Sequence, residues 1–91
     1  MTSTSVEQTV RIVNDLGLHL RAAGALVQLA SSFHSDIVLR RGTTEANAKS
    51  IMSVLSLAAG KGAELSLKAD GGDAKKAVEA LKNLIEAGFN H

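Results

Sequence analysis

The apolar residues of this 91-residue chain repeat with two different periods, and the two periods alternate along the sequence. Two segments, Val6–Val13 and Glu64–Ala69, alternate apolar and polar residues, which is typical of strands with one buried face. Between and after these segments, apolar residues recur every three or four positions, as they do along one side of an amphipathic helix. Such a chain must bury one face of a sheet against one side of each helix.

The helical pattern occupies three segments. The first predicted helix runs from Leu20 to about Phe33, and a short second helix covers Ser50–Leu57, with either Asn47 or Ser50 as its N-cap. A third helix starts after Asp73, its candidate cap, and stops at Gly88.

A hairpin is predicted between the first two helices. Ile37–Leu39 form a short apolar strand, Arg41 and Gly42 supply the turn, and Thr43–Ala46 return as an edge strand. The complete order is β-α-β-β-α-β-α. We therefore predict an α+β fold in which a single four-stranded sheet carries three helices on one face. No linker or repeat divides the sequence, so residues 1–91 are expected to form a single domain.

Composition narrows the classes of function. Ten basic and nine acidic residues are scattered along the chain, and only two residues are aromatic, which argues against a nucleic-acid partner. The chain has no cysteine, so disulfides and thiolate nucleophiles are excluded. Polar residues follow Met1, and no apolar run approaches the roughly 18 residues of a membrane span. We expect a cytoplasmic protein that has no membrane partner.

The transition from loop to helix occurs within the heptapeptide GLHLRAA, residues 17–23. The first N–H groups of a helix lack intrahelical acceptors, and the helix dipole adds a partial positive charge, so a phosphate on His19 would meet ready donors. Arg21 adds a permanent cation whose geometry suits phosphate oxygens, and Gly17 permits a sharp turn before the ring. The pattern alone leaves open that His19 is an ordinary exposed histidine and Arg21 a solvated surface residue.

The short second helix carries more large apolar residues than one side of two turns can bury. Val54 and Leu57 are predicted to face the sheet, which leaves an exposed docking patch of Ile51, Met52 and Leu55. The outer side of the first helix would extend this patch toward His19 through Leu20 and Gly24. The alternative is that a neighbouring loop buries the short helix.

Two segments resemble motifs of the HPr family, the histidine-containing phosphocarriers of the bacterial phosphotransferase system. Residues 17–23 are similar to the family's active-site motif Gly-Leu-His-Ala/Thr-Arg-Pro-Ala, and residues 47–57 are similar to its regulatory-serine segment. The resemblance extends from about Val6 to Phe89. It implies an α+β two-layer open-faced sandwich, in which a four-stranded antiparallel sheet carries three helices on one face. Leu20 stands where the family usually has a small residue, and Ala22 replaces the proline, two departures that bear on the choice of partner.

The resemblance implies a stoichiometric phosphocarrier and not an enzyme with its own turnover. His19 would accept a phosphoryl group on Nδ1 from phospho-enzyme I and pass it to IIA domains, while Arg21 compensates the charge. Ser50 matches the serine that HPr kinase/phosphorylase modifies in many relatives, although a plain helix cap is the alternative. No cofactor and no metal site are expected, and His34 and His91 are assigned no role. The protein is expected to be a monomer.

Two other functions remain open at this point. One is a regulatory, nitrogen-type HPr-like protein whose phosphorylation state controls partners without feeding sugar uptake. The other is a small-molecule-binding regulatory module in which His19 is incidental, although the sequence shows no glycine-rich cradle for such a ligand. Transport and regulation would use the same residues, so the sequence does not separate them.

Overall fold

A computed structural model describes residues 4–90 and confirms the predicted order of strands and helices. The strands are β1 (Ser5–Arg11), β2 (Asp36–Arg41), β3 (Thr44–Asn47) and β4 (Glu64–Asp70). The helices are α1 (Leu20–Ser31), α2 (Ile51–Leu55) and α3 (Ala74–Glu86), followed by a 3-10 turn over Gly88–Asn90. The elements end within a few residues of the predicted bounds, as is usual for helix and strand ends.

The four strands form one antiparallel sheet in the order β1-β4-β2-β3. Alternate residues of neighbouring strands share a face, so that Val10 lies opposite Leu65, and Leu67 lies opposite Leu39. These residues are buried beneath the helices. The other face is polar and exposed, and it carries an ion pair of 2.7 Å between Arg11 and Glu64. The sheet therefore has one buried face, as its period-two pattern predicts.

The predicted helical stripes form the core. In α1 the buried residues are Ala22, Ala23, Leu26 and Ala30, and in α3 they are Ala74, Ala77, Val78, Leu81 and Ile85. Val54 and Leu57 are also buried, as predicted for the inner side of the short helix. Among residues 4–90, no helix is long and apolar enough to span a membrane.

Of the two candidate caps of α2, the structure selects Ser50. Its hydroxyl accepts a hydrogen bond from the Ser53 N–H at 3.3 Å, while the Asn47 side chain accepts from the Lys49 N–H at 2.9 Å. The Ser53 hydroxyl in turn accepts from the Asn47 N–H at 2.8 Å. Side-chain bonds thus fix the chain at the entry to this short helix.

Asp73 occupies the N-cap position of α3, but the prediction that its side chain caps the helix is wrong. The carboxylate instead accepts hydrogen bonds from the Ser35 hydroxyl, the Ser35 N–H and the His34 N–H in the loop between α1 and β2. Hydrogen bonds from the Ser35 hydroxyl and the His34 N–H lower the pKa of Asp73 to about 2. Asp73 therefore joins two loops that are distant in sequence.

Candidate functional site

His19 is the N-cap residue of α1. Its backbone is extended (φ −78°, ψ 176°), and its carbonyl accepts the first helical hydrogen bond, from the Ala23 N–H at 2.9 Å. The preceding N–H groups, those of Leu20, Arg21 and Ala22, come too early in the helix to have an intrahelical acceptor. The His19 side chain makes no capping hydrogen bond to these groups. An anion beside the half-buried His19 ring would therefore meet backbone donors and the positive end of the helix dipole.

The turn before His19 depends on Gly17. Its φ of +63° is a left-handed conformation, and a Cβ at this position would lie 2.5 Å from the Ala59 carbonyl oxygen and 2.8 Å from the Cα of Gly60. Close by, the Leu18 N–H donates to the Ala59 carbonyl at 2.9 Å. The amide of Asn14 donates to the Gly17 carbonyl at 2.8 Å. The loop that carries His19 is therefore held against the segment that follows α2.

His19 and Arg21 face the same open cleft, whose volume is about 630 Å³. The structure thus brings together the two residues that the sequence assigned to phosphate. Arg21 is exposed, and its guanidinium has no ion-pair partner within residues 4–90. The remaining lining residues, Val13, Asn14, Asp15 and Leu16, were not predicted as site residues.

Sequence patterns gave no indication of a charged pair at this cleft. The Asp15 carboxylate and the Lys61 ammonium form an ion pair of 2.8 Å between exposed side chains. Hydrogen bonding and the charge of Lys61 lower the pKa of Asp15 below its ordinary value, and Asp15 raises the pKa of Lys61 in the same way. Both groups remain charged near neutral pH.

The predicted docking patch is exposed only in part. Met52 is 77% exposed, Leu20 is 67% exposed, and Ile51 is also exposed. The expectation that Leu55 is exposed is wrong, because Leu55 is half-buried and packs against the core. Gly24 is half-buried, but a Cβ there would find no atom within 4 Å.

Two further apolar side chains are exposed beside His19. Leu16 is 76% exposed, and Val13 is 42% exposed. Val13 was predicted to be the last residue of the first strand, but the chain leaves the sheet after Arg11, so only Ile12 keeps its place in the core. The apolar surface around His19 is therefore wider than the sequence indicated.

The part of the chain that the structure describes offers no cluster of metal ligands. Within residues 4–90, no three His, Cys, Asp or Glu side chains come close enough to hold a metal ion. His34 is exposed, and its backbone N–H bonds to Asp73. His91, which was assigned no role, lies outside the described residues.

Comparisons with known proteins agree on one family. The sequence matches the family described as "PTS HPr component phosphorylation site" over residues 6–87. Phosphocarrier protein HPr of Treponema pallidum is 46% identical over 84 residues, which cover 92% of this chain and 96% of the relative.

Solved structures give the same result. HPr-C-His from Thermoanaerobacter tengcongensis superposes with a TM-score of 0.91 at 42% identity, covering 94% of this chain and 97% of that chain. A structure described as an HPr dimer from the same organism has a TM-score of 0.77 at 41% identity, covering 90% of this chain and 94% of that chain. This chain belongs to the HPr family of phosphocarrier proteins of the phosphotransferase system.

Proposed function

We propose that this protein accepts a phosphoryl group from phospho-enzyme I on Nδ1 of His19 and passes it to IIA domains. The observation that carries the proposal is the placement of His19 as the N-cap residue of α1, with Arg21 in the same cleft. Membership in a phosphocarrier family supports it. The protein then acts as a stoichiometric carrier in the cytoplasm and needs no cofactor or metal.

The chemistry of this step requires little beyond positioning. A neutral His19 ring nitrogen attacks phosphorus, a nitrogen–phosphorus bond forms, and the bond to the donor breaks with its electron pair leaving with the donor. The first-turn N–H groups and the helix dipole then face a phosphoryl group that is already attached. Transfer to the acceptor is the same step with the roles exchanged.

Arg21 compensates charge in this proposal. Its guanidinium is exposed in the cleft and carries a fork of donors that matches phosphate oxygens. Ala22 keeps a backbone N–H at the third position of α1, where proline would have none, so the helix end retains one more donor.

Partner docking is proposed for the apolar surface next to the cleft. Leu20, Ile51 and Met52 supply its exposed part, and Gly24 and Leu55 are its half-buried members. A flexible methionine suits a surface that must fit both a donor and several acceptors. The carrier is proposed to act as a monomer, so that a second copy does not cover this surface.

Ser50 is proposed as a regulatory phosphorylation site for HPr kinase/phosphorylase. Phosphorylation would add about 1.5 to 2 negative charges directly before Ile51 and Met52. An apolar docking surface would then carry a charge that must be desolvated when a partner binds. Ser50→Asp is therefore expected to raise the apparent KM for this protein in the enzyme I reaction, and to leave the melting temperature near that of the wild type.

Incubation with phosphoenolpyruvate and enzyme I tests the proposed function. We expect one acid-labile, base-stable phosphate that maps to His19 and disappears in His19→Ala. His34→Ala serves as a matched control on an exposed histidine, and it should be labelled like the wild type. Undiminished labelling of His19→Ala, or no labelling of the wild type, would overturn the proposal.

A further inference from the structure

The cleft that contains His19 and Arg21 also contains a carboxylate. Asp15 lines this cleft, and its Oδ1 accepts a hydrogen bond from the Lys61 ammonium at 2.8 Å. Lys61 belongs to the turn before β4, so the pair connects that turn with the loop that leads into α1. Both side chains are exposed, and each can respond to a charge that is placed in the cleft.

A phosphoryl group on His19 would bring about two negative charges into this cleft. Asp15, which lines the same cleft, repels such a group, and Lys61 attracts it, because exposed charges interact over a screening length of about 10 Å at 0.1 M ionic strength. In the resting protein the two charges largely cancel. The phosphoryl group must therefore compete with Asp15 for Lys61, whereas Arg21 is held by no ion pair in the described chain.

On the basis of the proposed phosphocarrier function, we propose that the Asp15–Lys61 pair sets how readily His19 gives up its phosphoryl group. Asp15 destabilises the phosphorylated protein and promotes transfer to the acceptor, while Lys61 opposes this effect. A carrier needs such a balance, because a phosphohistidine that is too stable would not be passed on. Both residues act through charge on His19, and neither forms a bond with phosphorus.

The exchange of one phosphoryl group between two copies of the protein tests this proposal. Phosphorylated ¹⁵N-labelled wild type is mixed with an unlabelled variant and a catalytic amount of enzyme I, and native mass spectrometry measures the four species at equilibrium. One nitrogen–phosphorus bond breaks for each one that forms. The equilibrium constant for this exchange, called the exchange ratio below, therefore reports only how much more readily the variant holds the phosphoryl group than the wild type does.

Opposite shifts are expected for the two single variants. Asp15→Asn should draw the phosphoryl group toward the variant by about two- to fivefold at low ionic strength, and Lys61→Met should shift it toward the wild type by a similar factor. The double variant loses the ion pair but keeps the same net charge, so its ratio should return close to one. In about 1 M KCl, where the screening length is about 3 Å, all ratios should approach one.

A matched control comes from the open face of the sheet. Glu64→Gln breaks the ion pair with Arg11, which is exposed like Asp15–Lys61 but does not line the cleft, so its ratio should stay close to one. The proposal would be overturned if both single variants moved the ratio in the same direction. It would also be overturned if the ratio of the double variant equalled that of either single variant instead of returning to one. Wild type that takes no phosphoryl group from enzyme I would contradict the proposed function instead. Variants that are phosphorylated with ratios of one would contradict only this inference.

Discussion

A single methyl group at Gly17 should displace the loop that carries His19. The added Cβ meets the Ala59 carbonyl oxygen at 2.5 Å and the Cα of Gly60 at 2.8 Å, and neither backbone atom can rotate away. A left-handed conformation costs a residue with a side chain roughly 1 to 2 kcal/mol. Overpacking against fixed atoms typically adds about 1 to 3 kcal/mol. We therefore expect Gly17→Ala to lower the free energy of unfolding by about 2 to 5 kcal/mol.

Gly42 provides a matched control for the conformational part of this cost. It has nearly the same φ, +61° against +63°, but a Cβ there finds no atom within 4 Å. Gly42→Ala should therefore cost only about 1 to 2 kcal/mol. The difference between the two variants isolates the contact with the segment after α2.

Chemical denaturation measures the free energy of unfolding that each variant loses. The rate of phosphorylation by enzyme I measures whether His19 is still correctly positioned. Gly17→Ala should lose more stability than Gly42→Ala by at least about 1 kcal/mol. It should also be phosphorylated more slowly under conditions where both proteins are folded, because the His19 loop moves away from Ala59. Equal losses of stability and equal transfer rates would refute the reasoning that this contact positions His19.

Four further predictions concern other residues. Arg21→Ala should slow transfer about 10- to 100-fold, because it removes one hydrogen bond to a charged group. Its free energy of unfolding should change by no more than about 0.5 kcal/mol, because the side chain is exposed. Met52→Ala should raise the apparent KM for this protein in the enzyme I reaction. Its melting temperature should not change, because the side chain is 77% exposed. Leu55→Ala should impair both docking and stability, because the half-buried side chain packs on the core. The pKa of Asp73 falls from its ordinary 3.8 to about 2 on folding, so its contribution to stability is present above about pH 4 and is lost as the pH falls toward 2.

Each of these has its own check. Arg21→Lys keeps the charge without the fork and should recover part of the transfer rate measured in stopped-flow assays. Calorimetric melting separates Met52→Ala from Leu55→Ala, and equal melting temperatures would place Leu55 outside the core. In acid unfolding, the stability of Asp73→Asn should depend less on pH than that of the wild type. An unchanged dependence would mean that the hydrogen bonds from Ser35 and His34 to Asp73 do not persist in solution.

The order of the elements was predictable from the sequence because burial on one side imposes a local period. Ala23, Leu26 and Ala30 recur at helical spacing and are all buried in α1. Leu65 and Leu67 alternate with exposed or half-buried neighbours and are buried in β4. The position of His19 at the start of a helix is likewise local, since the heptapeptide itself marks the change from loop to helix.

Tertiary structure alone decided which loops meet at the site. Asp15 and Lys61 are 46 residues apart, and Ser35 and Asp73 are 38 apart, so no local period connects them. The side-chain partner of Asp73 and the half-burial of Leu55 were mispredicted for the same reason, since each depends on a neighbour from elsewhere in the chain. Local pattern reports which side of an element is buried, whereas the sheet order and the packing of loops determine what lies against it.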